Sequence, residues 1–293
     1  MIDFQTAAER AQILTDAMSY IRKYKDKIIV IKYGGNAMVS EELKNQVMED
    51  VALLHTVGVR VVLLHGGGPE INAMLKRLGK EAKFIDGLRV TDEETVEVVQ
   101  MVLSGKVNKS LVNLLQQKGV KAVGLSGVDG RMIEAVTKDP NLGYVGRITS
   151  VNVDIIRDVM DAGYVPVIST VACDEEGGVY NINADTAAAY IAGEIGAERL
   201  FMMTDIAGIL RDPNDPDSLI PALDIEEAVE LFRQGVISGG MIPKVDCCID
   251  AIHRGVGRVI IMDGRVNHSI LLEILTNEGA GTMVMEKKEP DTI

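Results

Sequence analysis

Two runs of the sequence, IIVIKY at 28–33 and VRVVLLH at 59–65, are aliphatic almost without a break. A strand with one wet face alternates apolar and polar residues. A run without that alternation must be buried on both faces, which requires helices on either side of a sheet. Further strand-like runs fall at 121–126, 131–137, 144–151, 165–170, 178–183, 199–205 and 258–264. Helical patterns alternate with them, at 40–58, 69–79, 92–104, 107–118, 152–162, 185–196, 224–235, 242–255 and 269–276. This alternation predicts an open α/β sandwich with a mainly parallel sheet. Only 129–151 reads differently, as an antiparallel hairpin region inserted into it.

The 293 residues suit one large or two modest domains. No Pro- or Gly-rich linker divides them. The best boundary lies near 172–180, where CDEEGG separates two α/β stretches. Phe4, Ala7, Ala8, Ala11, Leu14, Ala17, Met18, Ile21 and Tyr24 form one apolar stripe of a helix before the first strand. That stripe serves either a helix packed on its own domain or an arm that docks on another subunit. The division expected is a helical arm at 1–26, an N-terminal lobe at 27–180 and a C-terminal lobe at 181–293.

The two opening strands both end in glycine. IIVIKY runs into Gly34 and Gly35, and VVLLH into Gly66, Gly67 and Gly68, followed by Pro69 and a helical run. Glycine lets a backbone approach a ligand, proline is at home in a first helical turn, and the free N–H groups of a helix start attract anions. One such loop is also what a tight strand–helix turn needs. Two, at the ends of strands in one sheet, would face the same crevice, with Lys32 adding a positive charge. The anion is not held by a dinucleotide or Walker loop: GxGxxG lacks its third glycine here, and SGKVNKS (104–110) lacks the spacing of a P-loop.

Three later stretches carry further polar groups. Gly239 and Gly240 precede a helix whose first turns hold Lys244, a charge that the helix dipole disfavours. Asn181, Asn183 and Asp185 gather at the start of a small-residue helix. Arg89 stands before Thr91 and Asp92, a helix cap, and could grip a carboxylate with two hydrogen bonds. Taken singly, each residue also has a plain structural reading as a surface lysine, a dipole partner or an isolated arginine.

The net charge of −13 leaves no basic surplus for nucleic acid or an acidic membrane. No apolar run approaches the ~18 residues of a membrane span, and the start MIDFQTAAER is no signal peptide. Cys173, Cys247 and Cys248, an odd count without CxxC spacing, read as reduced thiols of a cytoplasmic protein.

KYGGNAM, LLHGGGPEIN, FIDGLRVTD, NINADTAA, MMTDIAGIL and SGGMIPKV occur in this order between about residues 27 and 285. Together they resemble the amino acid kinase family. The resemblance implies a three-layer αβα sandwich, with the amino acid on the N-terminal lobe and ATP on the C-terminal lobe. It makes Lys32 and Lys244 the catalytic lysines and Asp185 the aspartate that organises them. Gly66, Gly67, Arg89 and Asn181 would bind the acceptor. Gly34, Gly35, Thr204, Asp205, Gly208, Leu210, Gly239 and Gly240 would serve the nucleotide. Mg2+ would arrive on ATP, without protein ligands.

FIDGLRVTD after HGGGP points, within the resemblance, to N-acetyl-L-glutamate as acceptor and to phosphorylation of its side-chain carboxylate in arginine biosynthesis. Relatives acting on N-acetyl-aminoadipate, glutamate, aspartate, carbamate or UMP are the nearest alternatives. A non-catalytic sensor of an amino acid and a nucleotide and an NAD-dependent oxidoreductase belong to other classes. Members of the family with a helix before the first strand tend to form hexamers, as trimers of dimers, inhibited by L-arginine. The same is expected here, with Tyr20, Glu273 and Gly279 as arginine contacts.

Overall fold

A computed structural model describes residues 4–38, 40–277 and 279–287. Its first element, α1 (Phe4–Tyr24), leads into β1 (Ile28–Tyr33), then α2 (Glu41–Thr56), β2 (Arg60–His65) and α3 (Gly68–Arg77). A short hairpin, β3 (Phe84–Ile85) and β4 (Leu88–Arg89), precedes α4 (Glu93–Gln100), a π-helical stretch Met101–Val107 and α5 (Asn108–Gln117). Next come β5 (Ala122–Ser126), β6 (Ile133–Thr137), β7 (Gly146–Val151), α6 (Asp154–Asp161), β8 (Val165–Ser169), β9 (Val171–Cys173) and β10 (Val179–Asn181). The chain finishes with α7 (Ala184–Ile195), β11 (Arg199–Thr204), β12 (Ala222–Asp224), α8 (Ile225–Arg233), α9 (Ile242–His253), β13 (Arg258–Asp263), α10 (Ser269–Leu275) and β14 (Gly281–Met285).

Eight strands form one sheet in the order β12-β14-β13-β11-β1-β2-β8-β5. Every neighbouring pair is parallel except β13 with β14. Strands from before and after the expected boundary meet where β1 pairs with β11, so one sheet runs across that boundary. A second sheet, β10-β9-β6-β7, contains the antiparallel β6–β7 pair expected within 129–151.

The aliphatic runs are buried on both faces, and their residues divide by strict alternation. Ile29, Ile31, Val61, Leu63, Phe201 and Met203 pack with α2, α3, α5 and α10. Val30, Val62, Leu64, Leu200 and Met202 pack with α6, α7, α8 and α9. This alternation positions the chemistry: Lys32 follows Val30 onto the α7–α9 face, while His65 follows Val61 and Leu63 onto the α5 face. Ala187, Ala188, Ala189 and Ala192, all fully buried, let α7 lie close against the sheet.

Several details depart from the sequence reading. The helices expected at 92–104 and 107–118 form one rod from 93 to 117, joined through the π-helical stretch. β3, β4, β9, β12 and β14, of two, two, three, three and five residues, fall outside the expected strand runs. The arm also behaves unlike an internal helix. Tyr24 at its end is buried, but Ile13, Leu14 and Met18 are 67%, 70% and 43% exposed. The side chains of Phe4 and Ala7, the start of the stripe, lie outside the described residues. Among the described residues no helix is long and apolar enough to cross a membrane.

Candidate active site

Three charged groups distant in sequence meet on the α7–α9 face. Lys32 lies near the end of β1, Asp185 is the second residue of α7, and Lys244 is the third residue of α9. Lys32 Nζ pairs with Asp185 Oδ1 at 2.9 Å. Lys244 Nζ donates to Asp185 Oδ2 at 3.2 Å. Lys32 also donates to the Met203 carbonyl at 3.1 Å, which ties it to β11. Burial alone would raise the Asp185 pKa. The charges of Lys32 and Lys244, with their hydrogen bonds, outweigh it and hold the carboxyl at about 2.

The glycines nearby make room. A Cβ on Gly34 would stand 3.0 Å from Lys32 Nζ. Gly35 has φ +71°, and a side chain there would run into the Asp205 carboxylate. A Cβ on Gly67 would stand 2.5 Å from Leu103 Cδ2, so this glycine is required by the π-helical stretch packed beneath the loop.

Two adjoining cavities open beside Asp185, Lys244 and Gly67. The larger, about 1010 Å³, is lined by Asp185, Lys244, Gly239, Gly240, Lys138 and Cys247, among others. The smaller, about 190 Å³, gathers Gly66, Gly67, Gly68, Arg89 and Asn181. Gly87, Leu88 and Asn183 line both, so the two form one continuous crevice. The structure thus assembles the four expected acceptor-binding residues around one small pocket and Asp185 with Lys244 around the larger. Lys32, buried behind Asp185, and Gly34, Gly35, Thr204, Asp205, Gly208 and Leu210 line neither cavity.

Arg89 is 8% exposed and stacks over Phe84, with its guanidinium carbon 4.8 Å from the ring centre. Its Nη2 donates to the Gly68 carbonyl at 3.3 Å, and Nη1 is buried without an acceptor among the described residues. Burial lowers its pKa. A buried guanidinium with an unspent donor, lining a pocket, is suited to an anion. Asn181 is held by Nδ2–H donation to Thr91 Oγ1 at 3.2 Å, which leaves its carbonyl oxygen available.

Of the expected nucleotide contacts, Gly239 and Gly240 have open space where a Cβ would go, at the turn before α9. Gly208 instead has a packing reason: with φ +148°, a Cβ there would stand 2.5 Å from Thr282 Oγ1. Leu210 bridges to Leu219.

The three expected arginine contacts also converge, around the end of α1. Tyr20 Oη donates to Asn277 Oδ1 at 2.5 Å. Glu273, 7% exposed, accepts from the Ala280 N–H at 2.9 Å and pairs with Arg199 Nη1 at 3.3 Å. Burial raises its pKa against the pull of the Ala280 hydrogen bond and the nearby arginines. Gly279, at φ +70°, lies beside the Glu273 carboxylate. Glu273 is therefore no surface carboxylate but one already matched to a guanidinium.

Sequence reasoning missed two parts of the crevice. The β3–β4 hairpin forms one wall, and its signal was present: Asp86-Gly87, both at positive φ (+49° and +78°), is a type I′ turn sequence. Cys247 is half-buried in the larger cavity, with its thiol pushed up to about 11 by burial first and then by the Asp185 charge. Its position on the lysine-bearing face of α9 could have been read from the three-residue spacing.

The model of the amino acid kinase family matches residues 27–263. The acetylglutamate kinase of Clostridium beijerinckii is 51% identical, over 94% of this chain and 98% of its own. That of Brachyspira hyodysenteriae is 53% identical, over 94% and 96%. Among solved structures, the N-acetylglutamate synthase of Neisseria gonorrhoeae, complexed with coenzyme A and N-acetyl-glutamate, superposes with a TM-score of 0.83. It is 25% identical, over 95% of this chain and 64% of that one.

Proposed function

The chain belongs to the amino acid kinase family, and from that premise we propose that it transfers the γ-phosphoryl group of ATP to the side-chain carboxylate of N-acetyl-L-glutamate. Relatives about half identical over nearly their full length carry the name acetylglutamate kinase, which supports this acceptor. The observation that carries the reading is one half-buried aspartate that holds two lysines and, with Lys244, lines a crevice whose other part offers Arg89 and a glycine loop.

A glutamate-type carboxyl, with an ordinary pKa near ~4.3, is already ionised at neutral pH and needs no base. None of the four histidines is then required as a general base. The obstacle is the approach of one anion to another. A positive charge 4 Å away is worth roughly 4 kcal/mol at an effective dielectric of 20. Lys32 and Lys244 supply two such charges. Asp185, ionised throughout, holds both ammonium groups in place and takes no proton. The N–H groups of Gly34, Gly35 and Gly67 add fixed donors for charge that grows in the transition state, while the Gly66 N–H is spent on the Tyr33 carbonyl at 3.1 Å and holds the loop to β1. Arg89 and Asn181 hold the acceptor, and Gly239 and Gly240 let the start of α9 approach the nucleotide, with Thr204, Asp205, Gly208 and Leu210 beside it.

Both Asp185 oxygens face lysine, and among the described residues no group of three or more metal-ligating side chains occurs. These residues fit a Mg2+ that is carried by the nucleotide, where it would neutralise phosphate oxygens.

The reading extends to regulation and assembly. The exposed apolar face of α1 suits an arm that docks on a second copy and builds a hexamer from three dimers. L-Arginine would bind where Tyr20, Glu273 and Gly279 converge and act through that arm. The carboxylate of Glu273 would then exchange its Arg199 partner for the inhibitor's guanidinium. Cytoplasmic localisation accompanies this role.

Hydroxylamine trapping tests the acceptor. With MgATP, N-acetyl-L-glutamate should give a hydroxamate, while aspartate, carbamate and N-acetyl-aminoadipate give little. Hydroxamate from another acceptor alone would reassign the substrate, and none from any acceptor would contradict the kinase reading.

A further inference from the structure

His65 is the last residue of β2 and has no exposed surface. Burial pushes its pKa down to about 4, against the hydrogen bond to Gly66, so the ring is neutral at physiological pH. Its two nitrogens have partners of opposite kind. Nδ1 lies 2.8 Å from the Gly66 carbonyl oxygen, which can only accept. Nε2 lies 3.2 Å from Asn108 Nδ2, which can only donate. A neutral imidazole satisfies both in one tautomer, with its proton on Nδ1.

The Asn108 amide is itself oriented by what surrounds it. Nδ2 also faces the carbonyl oxygens of Val167 at 2.8 Å and Leu125 at 3.1 Å, while Oδ1 accepts from Lys109 Nζ at 3.0 Å. Gly124 has no side chain where that amide stands. Asn108 is the first residue after the π-helical stretch, so the extra residue of that turn sets where the amide falls.

We propose that His65 is a positioning residue for phosphoryl transfer: its Nδ1–H fixes the Gly66 carbonyl and thereby aims the Gly67 N–H into the crevice. The C=O and N–H of a trans peptide point to opposite sides of the chain. With the Gly66 oxygen held inward on the ring, the N–H of the same peptide unit is turned outward. Gly67 lines the smaller cavity, and among the described residues no protein acceptor takes its N–H. The inference rests on reading Gly66 and Gly67 as part of the transfer site. His65 touches neither substrate and acts only through the peptide.

The tautomer can be read directly in the unmodified enzyme. Selective 15N labelling of histidine, with the His65 signals assigned by their loss in His65→Asn, should show a protonated Nδ1 and a bare Nε2. A proton on Nε2 would overturn the proposal. Kinetics supply a second arm. His65→Leu fills the site without a donor and should lower kcat by about 30-fold, below the 10²–10³ range for removing an anion-site donor outright, with KM for ATP almost unmoved. His65→Asn restores an N–H near the Nδ1 position and should recover much of that loss. A folded His65→Leu enzyme with undiminished kcat, or leucine and asparagine variants equally slow, would refute the positioning role. Should His65→Leu not fold, the tautomer decides alone. An unmodified enzyme that forms no acyl phosphate would instead remove the kinase reading beneath it.

Discussion

Asp185 is one carboxylate shared between two ammonium groups, and their charges lower its pKa against the effect of burial. The sign follows: the stabilisation is complete above the ordinary aspartate range and is lost only as pH falls towards about 2. No limb of the rate profile between pH 5 and 8 should therefore come from this residue. Asp185→Asn leaves two positive groups without their common partner. It should lower kcat by about 100-fold or more and destabilise the fold by roughly 3 kcal/mol, as breaking a buried ion pair does; urea unfolding and steady-state kinetics check both. Arg89→Ala should raise KM for the acceptor far more than KM for ATP, and the reverse pattern would place Arg89 at the nucleotide. These residues were visible in the sequence as types beside glycine or helix starts. Their convergence was not, because a lone lysine near a helix start has the same local signature on any surface. The spare donor of Arg89 and the Arg199 partner of Glu273 were equally invisible, since the contacts that decide them span 21 and 74 residues of chain.

At the scale of elements, the long strands were legible because burial on both faces leaves an aliphatic run. β9, β12 and β14 were not: β12 is a three-residue edge strand, and β9 and β14, though flanked on both sides, are short strands whose pairing is decided by neighbours rather than by pattern. The break expected between 104 and 107 reflects Ser104-Gly105, poor helix residues that the π-helical turn absorbs while it packs Leu103 and Val107 under Gly67. A second joint links α2 to α10. Asp50 on α2, 1% exposed, lies 2.6 Å from His268 Nδ1, just before α10, and His268 takes a positive φ of +55° there. Burial raises Asp50 to about 6, despite the favourable His268 contact. Its ionisation thus costs stability as pH rises from about 4 through 6. Asp50→Asn removes that dependence, so the variant should gain on the parent by up to about 3 kcal/mol between pH 4 and 8. Denaturant unfolding at the two pH values measures it, and a constant difference would show that Asp50 does not titrate there.

For the whole molecule, the decisive feature is that one continuous sheet carries both halves. The strand alternation foretold the sandwich, but not that β1 and β11 would lie side by side and bring the two lysines to one aspartate. The arm belongs to this scale too, because Ile13, Leu14 and Met18 on its apolar face stay exposed within one chain. Deleting residues 1–25 should reduce the assembly to dimers by light scattering and abolish arginine inhibition while leaving catalysis. A truncated protein still hexameric and still inhibited would exclude the arm from both roles. The central claim, that Lys32 and Lys244 act together on the migrating phosphoryl group, is tested most directly by single-turnover phosphoryl transfer in Lys244→Ala with nucleotide binding measured alongside. ATP should bind within a few-fold of the parent and the transfer step should slow by about 10² or more; transfer at the parental rate with ATP bound would contradict the account.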